Sequence, residues 1–326
     1  MRQDRIKVLY LSYAGDDVHR LVRQAAGEDF EVLFLSADDD SERCRKIAEC
    51  EAVICAATPL RRHHLEAANK LAVIHHQGVG WQDTTDWHDI KRRGLPLAIT
   101  PAGTTVAVAE HTVLLMLAAA KRLPFADAEL RRGAWHVNAL RSVSKELYGK
   151  IIGYVGMGRI AQAVAERLAS FGCSGIYCDP VVRLAEAEEA RLGLRSASLD
   201  EVLAAADVLT IHVPLTEATR GLIGEAALAK LKPGAIVVNT ARGGILDESA
   251  LVEALRCGRV LAAGLDVFEQ EPPGPDNPLL GLPNVVLTPH ISAGTEDAMQ
   301  QKMRALFDNL RRFFTSGELE NRVTFP

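Results

Sequence analysis

The sequence predicts an α/β protein built from two doubly wound parallel sheets. Short apolar runs alternate with amphipathic segments along most of its 326 residues. This is the rhythm of strands that are covered by helices on both faces. A second rhythm of the same kind begins after Gly149 and opens with a strand, a glycine-rich turn and a helix at Gly156-Met-Gly-Arg-Ile-Ala161. That local order is typical of a nucleotide-binding sheet.

The first rhythm predicts a parallel sheet near the N-terminus. Its five predicted strands are Lys7–Leu11, Glu31–Leu35, Ala52–Ala56, Leu71–His75 and Leu97–Ile99, with predicted helices at Asp16–Ala26, Ser41–Cys50 and Arg62–Asn69. A long apolar helix, Thr105–Arg122, precedes the second rhythm, and an amphipathic helix, Thr295–Phe314, follows it. We infer that the first of these helices carries the chain out of the N-terminal domain and that the second returns it, since chain termini often lie close together.

The second rhythm predicts a complete dinucleotide-binding sheet. Its six predicted strands are Ile151–Val155, Gly175–Cys178, Val208–His212, Ala235–Asn239, Leu261–Leu265 and Val285–Leu287. The predicted helices are Arg159–Phe171, Leu184–Leu192, Leu199–Ala204, Glu225–Leu231 and Glu248–Cys257. Six strands joined by helices match a Rossmann fold. We therefore expect residues 1–101 and 295–326 to form a flavodoxin-like substrate domain, and residues 102–294 to form a Rossmann domain that binds the dinucleotide.

The composition is that of an ordinary globular chain. It is 48% hydrophobic and 24% charged with a net charge of −5, which favours neither a nucleic-acid partner nor a membrane surface. The most apolar stretch, Val106 to Ala120, is too short to span a bilayer, and the N-terminal strand is too short for a signal-peptide core. We therefore expect a cytoplasmic protein. The six cysteines form no CxxC pair and no zinc pattern, so we predict buried free thiols and no metal site.

The glycine-rich turn has the features of a dinucleotide site. Gly156 permits the tight turn, Gly158 lets the backbone approach a pyrophosphate, and the small Ala161 lets the helix pack closely. The N-terminus of that helix offers amide groups to the anion. Asp179 ends the next strand, roughly 20 residues beyond the turn, where a carboxylate accepts hydrogen bonds from a ribose 2′-hydroxyl. Because a carboxylate repels a 2′-phosphate, the sequence favours NAD over NADP.

Three side chains in the C-terminal half suit the reduction of a 2-keto acid. Arg242 follows a predicted strand, and its guanidinium can hold a carboxylate through two parallel hydrogen bonds. His290 follows the last strand, and an imidazole is suited to exchange a proton with a carbonyl or alcohol oxygen. A carboxylate beside this imidazole favours its charged form. Glu271 and Glu269 lie on the same loop, and the physics of the sequence does not separate them. We assign structural roles to the pairs His63-His64 and His75-His76.

Further motifs occur in an order that resembles a known family. They are His75-His-Gln-Gly-Val-Gly80, Val108-Ala-Glu-His111, Glu146-Leu-Tyr-Gly-Lys150, Gly153-Tyr-Val-Gly-Met-Gly-Arg-Ile160, Val213-Pro-Leu-Thr216, Val238-Asn-Thr-Ala-Arg-Gly-Gly244, Leu265-Asp-Val-Phe268 and Thr288-Pro-His-Ile291. In these residues the chain resembles the D-isomer-specific 2-hydroxyacid dehydrogenase family, over almost its whole length.

The resemblance implies a role for each matching residue. His290 is similar to the family's acid/base, Glu271 to its carboxylate partner and Arg242 to its substrate-binding arginine. The backbone amides of Gly78, Val79 and Gly80 match the loop that holds the substrate carboxylate. Cofactor-binding positions are matched by Gly156, Gly158, Arg159, Ile160, Asp179, His212, Val213, Pro214, Thr240, Ala241, Arg242, Asp266 and His290. After the glycine loop the chain is one residue longer than the family pattern, and Trp81 either narrows the substrate pocket or packs in the core.

The resemblance also implies an activity and a partner. It points to an NAD-dependent enzyme that moves a hydride between the nicotinamide and a small 2-keto acid or D-2-hydroxy acid, similar to glyoxylate, hydroxypyruvate or phosphoglycerate. The alternative is an NAD-sensing corepressor of the same family, although the long polar tail expected of such regulators does not follow the last predicted helix. Residues 123–149 fit neither sheet and match an arm that grips a second subunit, so we expect a homodimer.

Overall fold

A computed structural model gives the structure of residues 5–56 and 58–325 and confirms the predicted fold class, with two parallel sheets. The strands are β1 (Ile6–Tyr10), β2 (Phe30–Leu33), β3 (Ala52–Cys55), β4 (Val73–His76), β5 (Leu97–Ile99), β6 (Ile151–Val155), β7 (Ser174–Cys178), β8 (Leu194–Ser196), β9 (Val208–Ile211), β10 (Ala235–Asn239), β11 (Val260–Leu265) and β12 (Val285–Leu287).

Helices connect these strands along the chain. They are α1 (Asp16–Ala26), α2 (Asp40–Ile47), α3 (Arg62–Ala67), α4 (Trp87–Arg92), α5 (Thr104–Lys121), α6 (Leu123–Arg131), α7 (Arg159–Ala169), α8 (Glu186–Leu192), α9 (Leu199–Ala205), α10 (Glu225–Lys230), α11 (Glu248–Arg256) and α12 (Glu296–Ser316). Short 3-10 turns lie at Gly243–Ile245 and Pro278–Gly281.

The chain divides into two units, and the first is built from both chain ends. It comprises residues up to Thr104 together with those from Thr295 onward, whereas the sequence placed the first boundary after residue 101. Its five strands are all parallel and lie in the order β2-β1-β3-β4-β5, which is the flavodoxin-like order.

Both faces of this first sheet are buried. Successive residues of β1 enter different clusters: Val8 and Tyr10 pack with α1 and α12, whereas Leu9 packs on the opposite face. The return of the chain through α12 is anchored by aromatic packing, since the rings of Phe30 and Phe307 lie 5.2 Å apart. Because both faces of the sheet are buried, the sequences of its strands are nearly continuous apolar runs.

The second unit spans Thr105–Gly294 and contains one strand more than predicted. Its seven parallel strands lie in the order β12-β11-β10-β9-β6-β7-β8. The six strands from β8 to β11 have the Rossmann order, and β12 is an added strand at the edge beside β11. The additional strand is β8, which was not predicted because this short edge strand, Leu194–Ser196, has a charged residue at its centre and no apolar run.

The helix α5 corrects the estimate that its apolar stretch is too short to span a bilayer. The helix has 18 residues, and by length and composition alone it could cross a membrane. More than half of it is buried inside the protein, where Leu115 and Met116 pack with Ile152 and Tyr154 of β6. Buried core helices of soluble proteins can have the same length and apolar composition, so these two properties are weak evidence for a membrane span.

Candidate active site

The imidazole of His290 and the carboxylate of Glu271 form a hydrogen-bonded pair in the second unit. Glu271 lies on the loop after β11, and His290 lies on the loop after β12, so both follow the carboxyl ends of neighbouring strands. His290 Nδ1 lies 2.7 Å from Glu271 Oε2. The other carboxylate oxygen, Oε1, accepts the backbone N–H of Phe268 at 3.0 Å. The His290 side chain is 43% exposed, so the ring is accessible to a small molecule.

The electrostatics of this pair determine which nitrogen can exchange a proton. Burial alone would raise the pKa of Glu271, but hydrogen bonds from His290 and the Phe268 amide and the charge of Arg242 outweigh it, so the pKa is lowered. The ionised carboxylate only accepts hydrogen bonds, so Nδ1 of His290 carries a proton. The nitrogen that gains or loses a proton during a reaction is therefore Nε2.

The geometry separates the two glutamates that the sequence physics left open. Glu269 Oε1 accepts the backbone N–H of Glu248, the first residue of α11, at 3.0 Å. In return, the Glu269 N–H donates to Glu248 Oε1 at 2.6 Å. Glu269 therefore caps a helix, while Glu271 contacts His290.

Arg242 follows β10 on a tight turn that Asn239 organises. The Asn239 side chain donates to the carbonyl of Arg242 at 2.8 Å and accepts the N–H of Ala241 at 3.0 Å. The next residue, Gly243, packs directly on the loop that carries Glu271. A Cβ atom at Gly243 would lie 1.9 Å from the carbonyl carbon of Phe268. The absence of a side chain at Gly243 is therefore what allows the Arg242 turn and the Glu271 loop to meet.

Asp266 holds the His290 loop in place. Its side chain is fully buried, Oδ1 accepts the hydroxyl of Thr288 at 2.6 Å and the N–H of Ile291 at 2.9 Å, and Oδ2 accepts the N–H of Ser292 at 2.9 Å. The backbone carbonyl of Asp266 also accepts the N–H of His290, whose φ of 51° lies in the left-handed region. The resemblance predicted a cofactor contact for Asp266, and that contact stays a prediction.

The glycine-rich turn between β6 and α7 has the shape that its sequence predicted. Gly156 has a φ of 94°, and a Cβ atom there would lie 2.8 Å from the backbone of His212. Only glycine satisfies both conditions. A Cβ atom at Gly158 would meet no heavy atom within 4 Å, so the turn leaves open space at the start of α7. Ala161 is fully buried against the sheet. These features fit a dinucleotide phosphate at this helix N-terminus.

Asp179 is tied to the same turn. Its carboxylate accepts the N–H of Met157 at 2.7 Å and the N–H groups of Val181 and Val182 at 2.8 Å each. Burial would raise the pKa of Asp179, but these three hydrogen bonds lower it, so the group is ionised at neutral pH. Asp179 thus fixes the glycine turn and places a negative charge beside it. Its predicted hydrogen bond to a ribose stays a prediction.

The remaining predicted cofactor residues cluster at the ends of neighbouring strands. Arg159 and Ile160 open α7, His212 to Pro214 follow β9, and Thr240 and Ala241 follow β10. Because β6, β9 and β10 are adjacent in the sheet, these segments lie at one edge. Thr240 is buried, and its hydroxyl lies 2.9 Å from that of Thr112.

The predicted substrate loop lies in the first unit, at the end of β4. Gly78 is half-buried, and Val79 is 39% exposed. Trp81 packs edge-on against Trp87 and Phe325, at ring distances of 6.1 and 5.6 Å. Of the two roles left open for Trp81, the structure thus supports the packing role.

Folding brings together a group in the first unit that the sequence analysis missed. Cys44, His63 and His64 hold potential metal-ligand atoms within 4.8 Å of one another. The Asp40 carboxylate lies 3.1 Å from His63 Nε2 and 3.3 Å from His64 Nε2. His64 Nδ1 accepts the N–H of Arg61, so the ring proton lies on Nε2 and faces Asp40. In this arrangement the group is a hydrogen-bonded cluster around a carboxylate.

The cysteines are free thiols in the structure, as the sequence predicted. Only Cys50 and Cys55 are fully buried, and Cys257 is exposed, so the expectation of buried thiols was too broad.

Comparisons with known proteins identify the family to which the chain belongs. A model of the D-isomer specific 2-hydroxyacid dehydrogenase NAD-binding domain matches residues 113–292. The chain is 40% identical over 286 residues to D-3-phosphoglycerate dehydrogenase of Archaeoglobus fulgidus, covering 87% of this chain and 53% of that protein. It therefore spans about half the length of that relative. It is 40% identical to hydroxypyruvate reductase of Thermotoga maritima, covering 84% of this chain and 88% of that protein.

A solved structure is similar to almost the whole chain. The NAD-dependent formate dehydrogenase of Staphylococcus aureus in complex with NAD has a TM-score of 0.85 and 26% identity, covering 99% of both chains. The chain therefore belongs to the D-isomer specific 2-hydroxyacid dehydrogenase family, and its second unit is the family's NAD-binding domain.

Proposed function

We propose that the protein is an NAD-dependent oxidoreductase that interconverts a small 2-keto acid and its D-2-hydroxy acid. The observation that carries this proposal is the His290–Glu271 pair, 2.7 Å apart, with the Arg242 turn packed beside it through Gly243. A proton donor, a carboxylate that orients it and a cation are the groups that reduction of a 2-keto acid requires. The names of the relatives, a hydroxypyruvate reductase among them, support the same reaction class.

His290 is the proposed acid/base of the reaction. NADH, when bound at the glycine turn of Gly156 and Gly158, would supply the hydride that the carbonyl carbon requires. His290 Nε2 donates a proton to the carbonyl oxygen, and Glu271 stabilises the imidazolium through Nδ1. In the reverse direction Nε2 accepts the hydroxyl proton. A positioned acid or base of this kind contributes a factor of roughly 100 to 10,000 in rate.

Arg242 is the proposed anchor for the substrate carboxylate. The turn that carries Arg242 packs on the Glu271 loop through Gly243, and the positive charge of Arg242 contributes to the lowered pKa of Glu271. A guanidinium that binds the carboxylate also orients the adjacent carbonyl, and orientation is a large part of the rate gain in such reactions. The contribution of the Gly78–Gly80 loop is likewise proposed on the resemblance.

We propose NAD as the preferred cofactor because of Asp179. The carboxylate is ionised and held rigidly by three backbone amides beside the glycine turn. A negative charge at this point repels the 2′-phosphate of NADP and accepts hydrogen bonds from the ribose of NAD.

Among substrates, we propose a small unphosphorylated keto acid ahead of phosphoglycerate. Arg61 and Arg62, at the start of α3, are two cations of the first unit with which a phosphate would pair. Arg61 lies 3.3 Å from Asp86, and Arg62 lies 2.9 Å from Glu66, so their charges are already paired. We therefore propose hydroxypyruvate and glyoxylate as the first substrates to test.

A second subunit is the proposed partner of the arm at residues 123–149. Large apolar side chains are exposed along it, and Trp135 is 77% exposed. The others are Leu123, Leu130, Val137 and Tyr148. Large exposed apolar side chains concentrated in one segment are typical of a protein–protein interaction site, so we propose a homodimer.

The test of the proposed function compares the parent protein with His290→Ala. NADH consumption is followed with glyoxylate, hydroxypyruvate, pyruvate and phenylpyruvate, and NADH binding is measured by fluorescence. We expect the parent to reduce at least one keto acid, and the variant to lose turnover by roughly 100-fold or more with nearly unchanged NADH binding. A variant that reduces keto acids at the parental rate rules out the assignment. A parent protein that binds NADH but reduces none of them favours the corepressor alternative.

A further inference from the structure

The side chain of His76 lies inside the predicted substrate loop and contacts it at two points. His76 is the last residue of β4 and is 5% exposed. Its Nδ1 lies 3.0 Å from the backbone nitrogen of Gly78. Its Nε2 lies 2.9 Å from the hydroxyl of Thr84, which lies 3.1 Å from the carbonyl oxygen of Gly80.

The chemistry of these atoms allows one arrangement of protons. The Gly78 N–H can only donate, so His76 Nδ1 accepts and has no proton. The neutral ring then carries its proton on Nε2. The Gly80 carbonyl can only accept, so the single hydroxyl proton of Thr84 points at it. The Thr84 oxygen therefore accepts from Nε2–H. These three hydrogen bonds form a relay through Gly78, His76, Thr84 and Gly80, in which the donor of each bond determines which atom donates in the next.

The relay connects both ends of the Gly78–Gly80 segment to His76, the last residue of β4. The His76 carbonyl accepts the hydroxyl of Thr100 at 2.9 Å, and the Gly78 carbonyl accepts the backbone N–H of Thr100 at 3.0 Å. Val79 lies between the two points that the ring holds, and its side chain faces outward. The conformation of the loop amides thus depends on the His76 tautomer that carries its proton on Nε2. An apolar side chain at this position could make neither hydrogen bond.

We propose that His76 is a positioning residue for substrate binding: through the relay of Gly78, His76, Thr84 and Gly80 it holds the loop amides in the orientation that receives the substrate carboxylate. This inference rests on the proposed function, because the resemblance assigns the loop to that carboxylate. It adds a residue and a tautomer to the site. Since the loop binds substrate and takes no part in proton exchange, damage to the relay raises the KM for the keto acid and leaves kcat at saturation unchanged.

The first test uses Thr84, because it is only half-buried and its removal does not empty the core. Thr84→Val has nearly the same shape but neither accepts from His76 nor donates to Gly80. Thr84→Ser keeps the hydroxyl and serves as the matched control. We expect Thr84→Val to raise the keto-acid KM at least about fivefold, because this is the usual net contribution of one of the two hydrogen bonds that it loses. The kcat and the Kd for NADH should not change. Thr84→Ser should restore the parental KM.

The second test addresses the ring. His76→Asn keeps an acceptor oxygen near the Nδ1 position for the Gly78 N–H, whereas His76→Ala removes both contacts. We expect a KM that rises more in His76→Ala than in His76→Asn. In the parent protein, proton–nitrogen correlation spectra of labelled histidine should show His76 with its proton on Nε2. A proton on Nδ1 would overturn the relay.

Amide hydrogen exchange separates failure of this inference from failure of the proposed function. If the parent protein reduces no keto acid, the proposed function fails, and the relay is judged on the apo protein alone. Faster exchange at residues 78–80 in Thr84→Val than in Thr84→Ser supports it. Equal exchange in the two variants overturns it, as does a loss of kcat or NADH affinity that matches the rise in KM.

Discussion

The carboxylate of Glu271 presents Oε2 to His290 Nδ1 at 2.7 Å, while its Oε1 receives the backbone N–H of Phe268 at 3.0 Å. The two oxygens are therefore not interchangeable, because the amide fixes which one faces the imidazole. This relationship orients the ring, determines its tautomer and leaves Nε2 as the proton-exchanging atom.

Glu271→Gln should lower kcat for keto-acid reduction by roughly 100-fold or more. The Phe268 N–H requires an oxygen at Oε1, so the new amide nitrogen must face His290. A donor in that position opposes a proton on Nδ1 and no longer stabilises the imidazolium. Steady-state kinetics with saturating NADH measures the effect. An unchanged kcat would show that the carboxylate has no part in the chemistry.

Gly243→Ala should reduce activity strongly and destabilise the protein by about 1–3 kcal/mol, the usual range for overpacking. The new methyl group would lie 1.9 Å from the Phe268 carbonyl, so the loop that carries Glu271 must move. Gly244→Ala is the matched control, since its methyl group would meet the flexible end of Arg220 at 3.3 Å and the side chain of Leu215 at ordinary contact distances of 3.5 and 3.6 Å, and no backbone atom. Urea unfolding and kcat measure the two effects. Equal behaviour of both variants would contradict the proposed contact between the loops.

Asp179→Ser should shift the cofactor preference toward NADPH. The substitution removes the charge that repels a 2′-phosphate, and it also weakens the hold on the Met157 amide. We expect the ratio of kcat/KM for NADPH over NADH to rise by about tenfold or more, while the affinity for NADH falls. Kinetics with both cofactors gives this ratio directly. A ratio equal to that of the parent would remove Asp179 from cofactor selection.

His75 should make the stability depend on pH between 6.5 and 4. Burial lowers the pKa of His75 from 6.5 to about 4, and its Nε2 faces the side-chain amide of Asn309 at 3.1 Å. Below pH 6.5 the unfolded chain binds a proton that the folded ring does not, so stability is full above pH 6.5 and falls toward pH 4. The loss is at most about 3 kcal/mol.

The matched variant for this prediction is His75→Gln, which can still accept from Asn309 but does not titrate. Urea unfolding of both proteins from pH 4 to 7.5 should show a shallower decline in the variant. Parallel curves would mean that His75 is not the titrating group.

The arm should hold two subunits together. Leu130→Ser combined with Trp135→Ser removes two exposed apolar side chains, and we expect sedimentation to show a monomer where the parent is a dimer. Val181→Ser is the control, because Val181 is 89% exposed but lies outside the arm. A monomeric parent protein, or a double variant that stays dimeric, would reject the arm as the interface.

The hydrophobic rhythm predicted most elements because the strands are buried on both faces. Four strands, β5, β6, β10 and β12, begin and end where the sequence predicted. Two short elements, α4 and β8, were not predicted because they lack this apolar pattern. The short helix α4 starts at Trp87 with no side-chain cap, and β8 has Arg195 at its centre.

The site was only partly predictable, because its decisive contacts join distant segments. Arg242, Glu271 and His290 follow from their motifs, but the choice of Glu271 over Glu269 depends on which of them caps α11. The contact of Gly243 with Phe268 and the hold of Asp266 on the His290 loop arise only on folding. No local pattern distinguishes these residues from others of their type.

The proposed reaction is tested by following the hydride itself. The protein is mixed with NADH that carries deuterium at the transferred C4 position and with the keto acid that it reduces best among those that give a chiral product, such as hydroxypyruvate or pyruvate. The product is then analysed by mass spectrometry and chiral chromatography. We predict one deuterium at C2 of the D-2-hydroxy acid, and loss of the product in His290→Ala. A product whose C2 hydrogen comes from solvent, or of the L configuration, would contradict the account.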